Sequence, residues 1–177
     1  MFIADFGQNF AGWITLQCAA PAGTKVQLRF GELLYPDGTL NPMTSVAGQI
    51  KGRRKTKDGR EESVGGPGAP PIAWQSDTYI AKGDGVERYT PRFTFHGFRY
   101  VEITGLPARP TRDTLTGHRL NSDVERAGEF ACSNDLYNRI QDLCDWTFLS
   151  NLFSVQSDCP QRERFGYGGD IAATSEV

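Results

Sequence analysis

Apolar and polar positions alternate over much of the first 120 residues. Lys25-Val26-Gln27-Leu28-Arg29-Phe30-Gly31-Glu32 shows the period of two that marks a half-buried strand. Phe98-Arg99-Tyr100-Val101-Glu102-Ile103 alternates in the same way and ends at Gly105-Leu106-Pro107. Trp13 to Gln17, Ser76 to Ala81, Val86 to Thr90, Arg92 to Phe95 and Leu115 to Leu120 also read as strands. Turn signals separate them: Pro36-Asp37-Gly38, where proline presets φ and glycine accepts a positive φ, and Gly83-Asp84-Gly85. Short strands punctuated in this way predict a mainly β fold, an antiparallel sandwich over residues 1–120.

The period changes after residue 121. Leu136, Ile140, Leu143 and Cys144 recur at helical spacing, and Trp146, Phe148 and Leu149 extend the apolar face, which predicts one helix from about Asn134 to Asn151 with Ser133 as its N-cap. A loop follows, and Asp170 opens a second helical segment through Ala172 and Ala173. Residues 121–177 therefore read as the start of a helical domain. Leu136, Ile140, Leu143 and Phe148 would show an apolar face that further helices normally cover, so aggregation or partial disorder is expected beyond about residue 122. Segment 48–73 fits neither pattern. Its basic run (Lys51, Arg53, Arg54, Lys55, Lys57, Arg60) and Gly65-Gly66-Pro67-Gly68-Ala69-Pro70-Pro71 predict a mobile, solvated insertion.

Composition narrows the function classes. With 21 acidic and 19 basic residues the net charge is −2, and the basic run has no interleaved aromatics, so a nucleic-acid partner is not expected. No run of eighteen apolar residues is present and no membrane partner is expected. Met1 to Asp5 lacks the basic and apolar regions of a signal peptide, which favours a cytoplasmic location; the start reads like the middle of a strand, as if upstream residues, and a signal with them, had been lost. The four cysteines show no CxxC spacing, so neither a metal site nor a disulfide framework is expected; no cofactor is, and Cys132 and Cys144 read as buried apolar positions. His96 and His118 stand alone and read as packing or surface residues, and core packing is the reading for Trp13 and Trp74.

The chemistry concentrates in Asp158-Cys159-Pro160-Gln161-Arg162-Glu163-Arg164-Phe165-Gly166-Tyr167-Gly168-Gly169-Asp170. Carboxylates close together in an irregular loop suit glycosidic cleavage, in which one carboxyl protonates the leaving oxygen while another activates water or attacks carbon. An adjacent arginine would hold a carboxyl ionised, whereas burial would raise its pKa, and the spacing does not decide between them at Glu163. Tyr167 could wall a sugar ring. A surface salt-bridge network is the bland reading of the same run.

This run resembles the signature of bacterial α-L-rhamnosidases of glycoside hydrolase family 78. Three upstream stretches are similar to that family's sandwich module: Asp5 to Trp13, Arg29 to Leu33 with Asp37-Gly38, and Pro91 to Val101. The resemblance implies a concanavalin-like (jelly-roll) β-sandwich leading into the first helices of an (α/α)6 barrel. It implies an inverting hydrolase acting on terminal α-L-rhamnose, with rhamnose-containing glycosides or oligosaccharides as partners. Glu163 would be the general acid; Asp158, Arg162 and Asp170 would bind the sugar, with Tyr167 where the family usually has tryptophan. The family's general base is a glutamate far downstream that this chain lacks, so the isolated chain is expected to be inactive. A non-catalytic carbohydrate-binding or structural module, and another glycosidase on the same scaffold, are the alternatives. Saturable rhamnose binding by residues 1–120 alone would favour the former.

Overall fold

The computed structural model describes residues 1–45, 52–64 and 74–175. Among the described residues ten strands precede the first helix: β1 (Phe2–Ala19), β2 (Lys25–Gly31), β3 (Leu33–Leu34), β4 (Leu40–Asn41), β5 (Gly52–Lys55), β6 (Glu61–Val64), β7 (Ser76–Ile80), β8 (Val86–Tyr89), β9 (His96–Thr104) and β10 (Leu115–Arg119). Helix α1 (Asp135–Asn151), a small hairpin of β11 (Leu152–Phe153) and β12 (Val155–Gln156), and helix α2 (Gly168–Thr174) follow. The fold is mainly β and antiparallel, and among the described residues the helices lie in its C-terminal part.

The principal sheet runs β10-β1-β9-β2-β7, with β8 also on β1. The long β1 serves two stretches of sheet. One side pairs with β10 along Gly12–Leu16, while the other takes β9 from Phe2 to Gly12 and then β8 along Leu16–Ala19. The β1–β9 register shifts between Asp5 and Phe10. Gly7 has φ +77° there, and Asp5 accepts both its N–H and a two-pronged grip from Arg99, at 2.8 and 2.9 Å. Such a bulge bends a strand and sharpens its twist, and the sheet curls round one core of Phe10, Ile14, Leu16, Val26, Leu28, Phe30, Phe98, Val101 and Ile103. The alternation in β2 is realised as read: Val26, Leu28 and Phe30 are buried and Lys25 faces water.

Both histidines are structural. His96 stacks on Phe30 with ring centroids 4.1 Å apart and bonds Asp77 Oδ1 at 3.1 Å. His118 Nε2 meets the Thr15 hydroxyl at 2.9 Å, and Thr15 in turn bonds Thr90. Trp74 is partly exposed rather than core, lying under the Arg29 guanidinium at 4.6 Å.

Glu87 ties β7 to β8. Its carboxylate accepts from the Tyr79 hydroxyl and from the backbone N–H groups of Lys82 and Gly83. These donors, Tyr79 foremost, hold its pKa at about 2 against an ordinary 4.5, and Tyr79 is pushed up to about 12. A carboxyl whose pKa falls on folding contributes stability fully above its unfolded pKa and loses it as pH drops toward the folded value. The melting temperature should therefore decline between pH 4.5 and about 2, and Glu87→Gln should flatten that part of the curve. An unchanged slope in the variant would contradict this.

Several sequence expectations are corrected. Residues 92–95 are not a strand: Phe93 adopts φ +58° and points into solvent, which breaks the ladder before His96. Within 48–73, the described part forms a β5–β6 hairpin in register Lys55↔Glu61, turning at Gly59 with φ +82°. The Gly65–Pro71 run lies outside the described residues. The N-cap of α1 is Asn134, whose side chain accepts from Leu136 N at 3.0 Å, and not Ser133. Cys132 and Cys144 are exposed rather than buried. Cys144 shares the solvent-facing side of α1 with Leu136, Ile140 and Leu143, as the helical spacing requires. Phe148 is half-buried, and Trp146 packs on the core beneath Arg119, 5.2 Å away.

Candidate active site

The segment from α1 to α2 is pinned where it leaves α1. Leu152 O accepts from Ser122 N at 2.7 Å, and Ser154, in the left-handed region at φ +69°, donates to the Ser122 hydroxyl. The chain then turns from Pro160 to Glu163, and Arg164 leaves the turn in the left-handed region at φ +57°.

Asp158 closes the loop on itself. Its N–H donates to Phe165 O at 3.0 Å, and its Oδ1 accepts from Phe165 N at 2.9 Å. Cys159 is buried, and its thiol donates to Asp158 Oδ2 at 2.9 Å while the sulfur accepts from Glu163 N at 3.2 Å. Burial pulls the Asp158 carboxyl upward, but the thiol and the Phe165 and Cys159 N–H donors outweigh it, so its pKa lies below the usual value. Asp158 is therefore an ionised acceptor at neutral pH.

Glu163 is exposed at the loop's outer face. Tyr167 donates its hydroxyl to Glu163 Oε2 at 2.7 Å, and this bond raises the Tyr167 pKa. Arg162 reaches Glu163 Oε1 only at 3.9 Å, a loose pair between exposed side chains. Asp170 sits in the first turn of α2, half-buried, and among the described residues no hydrogen bond joins it to Asp158 or Glu163. The loop thus unites Glu163 with Tyr167 and, more loosely, Arg162. Asp158 is linked to Glu163 through Cys159, and Asp170 stands apart.

Sequence reasoning missed the supports. Gln161 donates to Glu32 Oε2 at 3.1 Å, Arg164 bonds Phe95 O at 2.6 Å, and Pro160 and Gln161 lie against Gly97. Cys159 was visible only as a member of the run. Nothing in the local sequence marks Glu32 or Gly97 as neighbours of Pro160 and Gln161. Among the described residues no group of three His, Cys, Asp or Glu side chains is placed to hold a metal ion.

The family described as the bacterial alpha-L-rhamnosidase concanavalin-like domain matches residues 1–121. The family described as the bacterial alpha-L-rhamnosidase 6 hairpin glycosidase domain matches residues 125–177. An α-L-rhamnosidase of Formosa agariphila is 35% identical over 99% of this chain, and one of Streptomyces avermitilis is 36% identical over 97%. This chain spans only 16% and 14% of those relatives. Among solved structures, α-L-rhamnosidase from Dictyoglumus thermophilum superposes with a TM-score of 0.80 at 41% identity, covering 98% of this chain and 17% of that one. The Streptomyces avermitilis α-L-rhamnosidase complexed with L-rhamnose gives 0.76 at 36% identity, covering 96% and 14%.

Proposed function

Because this chain belongs to the bacterial α-L-rhamnosidase family, we propose that it supplies the acid side of an inverting glycosidase that removes terminal α-L-rhamnose. Residues 1–120 are the sandwich module, and residues 121–177 begin the six-hairpin catalytic domain. The observation that carries the reading is the Asp158–Asp170 loop, which presents an exposed Glu163 beside an aromatic ring while the ionised Asp158 is fixed behind it.

In this reading Glu163 protonates the glycosidic oxygen as the bond to the anomeric carbon breaks. Asp158 and Asp170 accept hydrogen bonds from rhamnose hydroxyls, Arg162 donates to the sugar, and Tyr167 forms a wall against it. A water must attack from the opposite face, activated by a second carboxylate roughly 6.5–9.5 Å from the first. That base belongs to the part of the enzyme outside these residues. A rhamnose complex of a relative supports the sugar assignment.

The test is p-nitrophenol release from p-nitrophenyl α-L-rhamnopyranoside, run on this chain and on a chimera that places residues 1–177 in the corresponding stretch of the Streptomyces avermitilis enzyme. Turnover is expected in the chimera alone. A folded chimera without turnover would overturn the proposal, and turnover by the short chain would show that the base lies within it.

A further inference from the structure

The loop carrying Asp158 and Glu163 does not stand free of the sheet. Pro160 and Gln161 lie so close to Gly97 that a Cβ there would come within 2.9 Å of Gln161 Cβ and 3.0 Å of Pro160 Cγ. Gly97 is itself held from behind: its N–H donates to Gln75 Oε1 and its carbonyl accepts from Gln75 Nε2, at 3.1 and 3.2 Å. Glu32, at the end of β2, takes Gln161 on one oxygen and Asn9 of β1 on the other, at 3.1 and 2.9 Å.

Arg164 makes the third contact and spans both sides. Its Nε donates to Pro160 O within the loop at 2.8 Å, and its Nη2 donates to Phe95 O, just before β9, at 2.6 Å. The guanidinium lies 4.2 Å over the Phe95 ring, which stacks on Phe153 at 4.1 Å. The residue is exposed as a whole, yet packing around its charged end lowers its pKa. Its backbone sits at φ +57°, a conformation that costs a non-glycine residue on the order of 1 kcal/mol or more and persists where surroundings over-determine it.

We propose that Arg164 is a positioning residue, which bridges the loop to the sandwich and so sets where the Asp158 and Glu163 carboxylates stand. The guanidinium's planar fork donates in two directions while its face covers a ring; a lysine ammonium cannot do all three. The role assigned to those carboxylates rests on the function proposed above, whereas the bridge itself does not.

The experiment uses the 177-residue chain as wild type, Arg164→Ala, Arg164→Lys and Gly97→Ala. Amide exchange is followed at Asp158 and Phe165, whose N–H groups close the loop, and at Leu28 and Val101 in the sheet, while 13C shifts report the Asp158 titration. Arg164→Ala should cut protection at Asp158 and Phe165 by about tenfold or more, as loss of hydrogen bonds from a charged donor implies. It should also move the Asp158 midpoint upward and leave Leu28 and Val101 unchanged. Arg164→Lys should restore part of the protection. Gly97→Ala should give the loosened pattern from the other side of the contact, and carries the test if Arg164→Ala does not fold. Unchanged loop protection and an unchanged Asp158 midpoint would overturn the proposal, as would equal loss of protection in the sheet or a wild-type loop with no protection at Asp158 and Phe165. Failure of the role proposed for Glu163 would show instead as unchanged turnover of rhamnosides in an active chimera bearing Glu163→Gln, with the loop exchange unaffected.

Discussion

Glu163→Gln in an active chimera should lower kcat by about 10²–10⁴-fold on a rhamnoside whose leaving group is a second sugar. The loss should be much smaller on p-nitrophenyl α-L-rhamnopyranoside. A sugar alkoxide cannot leave without a proton, whereas p-nitrophenolate can, so only the first substrate needs the acid in full. Glutamine keeps the shape and still accepts the Tyr167 hydroxyl, so packing is preserved. Equal losses on both substrates would indicate disruption of binding rather than removal of a proton donor. Unchanged turnover on both would end the general-acid assignment.

Phe98→Ala should destabilise the sandwich by about 3–5 kcal/mol, the usual cost of removing a fully buried phenylalanine. Phe98 is inaccessible to solvent and meets Phe6, Phe10 and Phe30 with ring centroids 5.6, 4.7 and 4.9 Å away. Three rings close round the vacated volume, and the sheet holding them cannot collapse without breaking the β1–β9 register at Phe10↔Phe98. Typical domains retain only about 5–15 kcal/mol in total, so the variant should unfold at much lower urea. Phe98→Leu should cost clearly less. A shift under about 1 kcal/mol for the alanine variant would show that this aromatic cluster is not the centre of the core.

Strand β2 was legible because Val26, Leu28 and Phe30 alternate with polar neighbours, and α1 because Leu136, Ile140 and Leu143 repeat at its pitch. In both, the signal is local and periodic. The hairpin at 52–64 was hidden because its charges read as a solvated loop, although Asp58-Gly59 carries a turn signal. The burial of Cys144 was misjudged because residue type predicts the usual neighbourhood of a cysteine, while α1 turns that face outward here. At the candidate site the chemistry was legible in the run and its support was not. Glu32 and Gln161 are 129 residues apart, and Phe95 and Arg164 are 69 apart. No pattern along the chain encodes such meetings, nor a left-handed arginine.

The order in which the contacts become available during synthesis follows from the topology. Every strand of the principal sheet, through β10 at Leu115–Arg119, precedes Asp158 in the chain. Domains generally fold as units from the N-terminus as they leave the ribosome. Gly97, Glu32 and Phe95 therefore form a finished mould before the loop emerges, and the residues from Pro160 to Arg164 settle onto it. The sandwich then acts as an intramolecular template for the candidate-site loop, already in place before α2 is made.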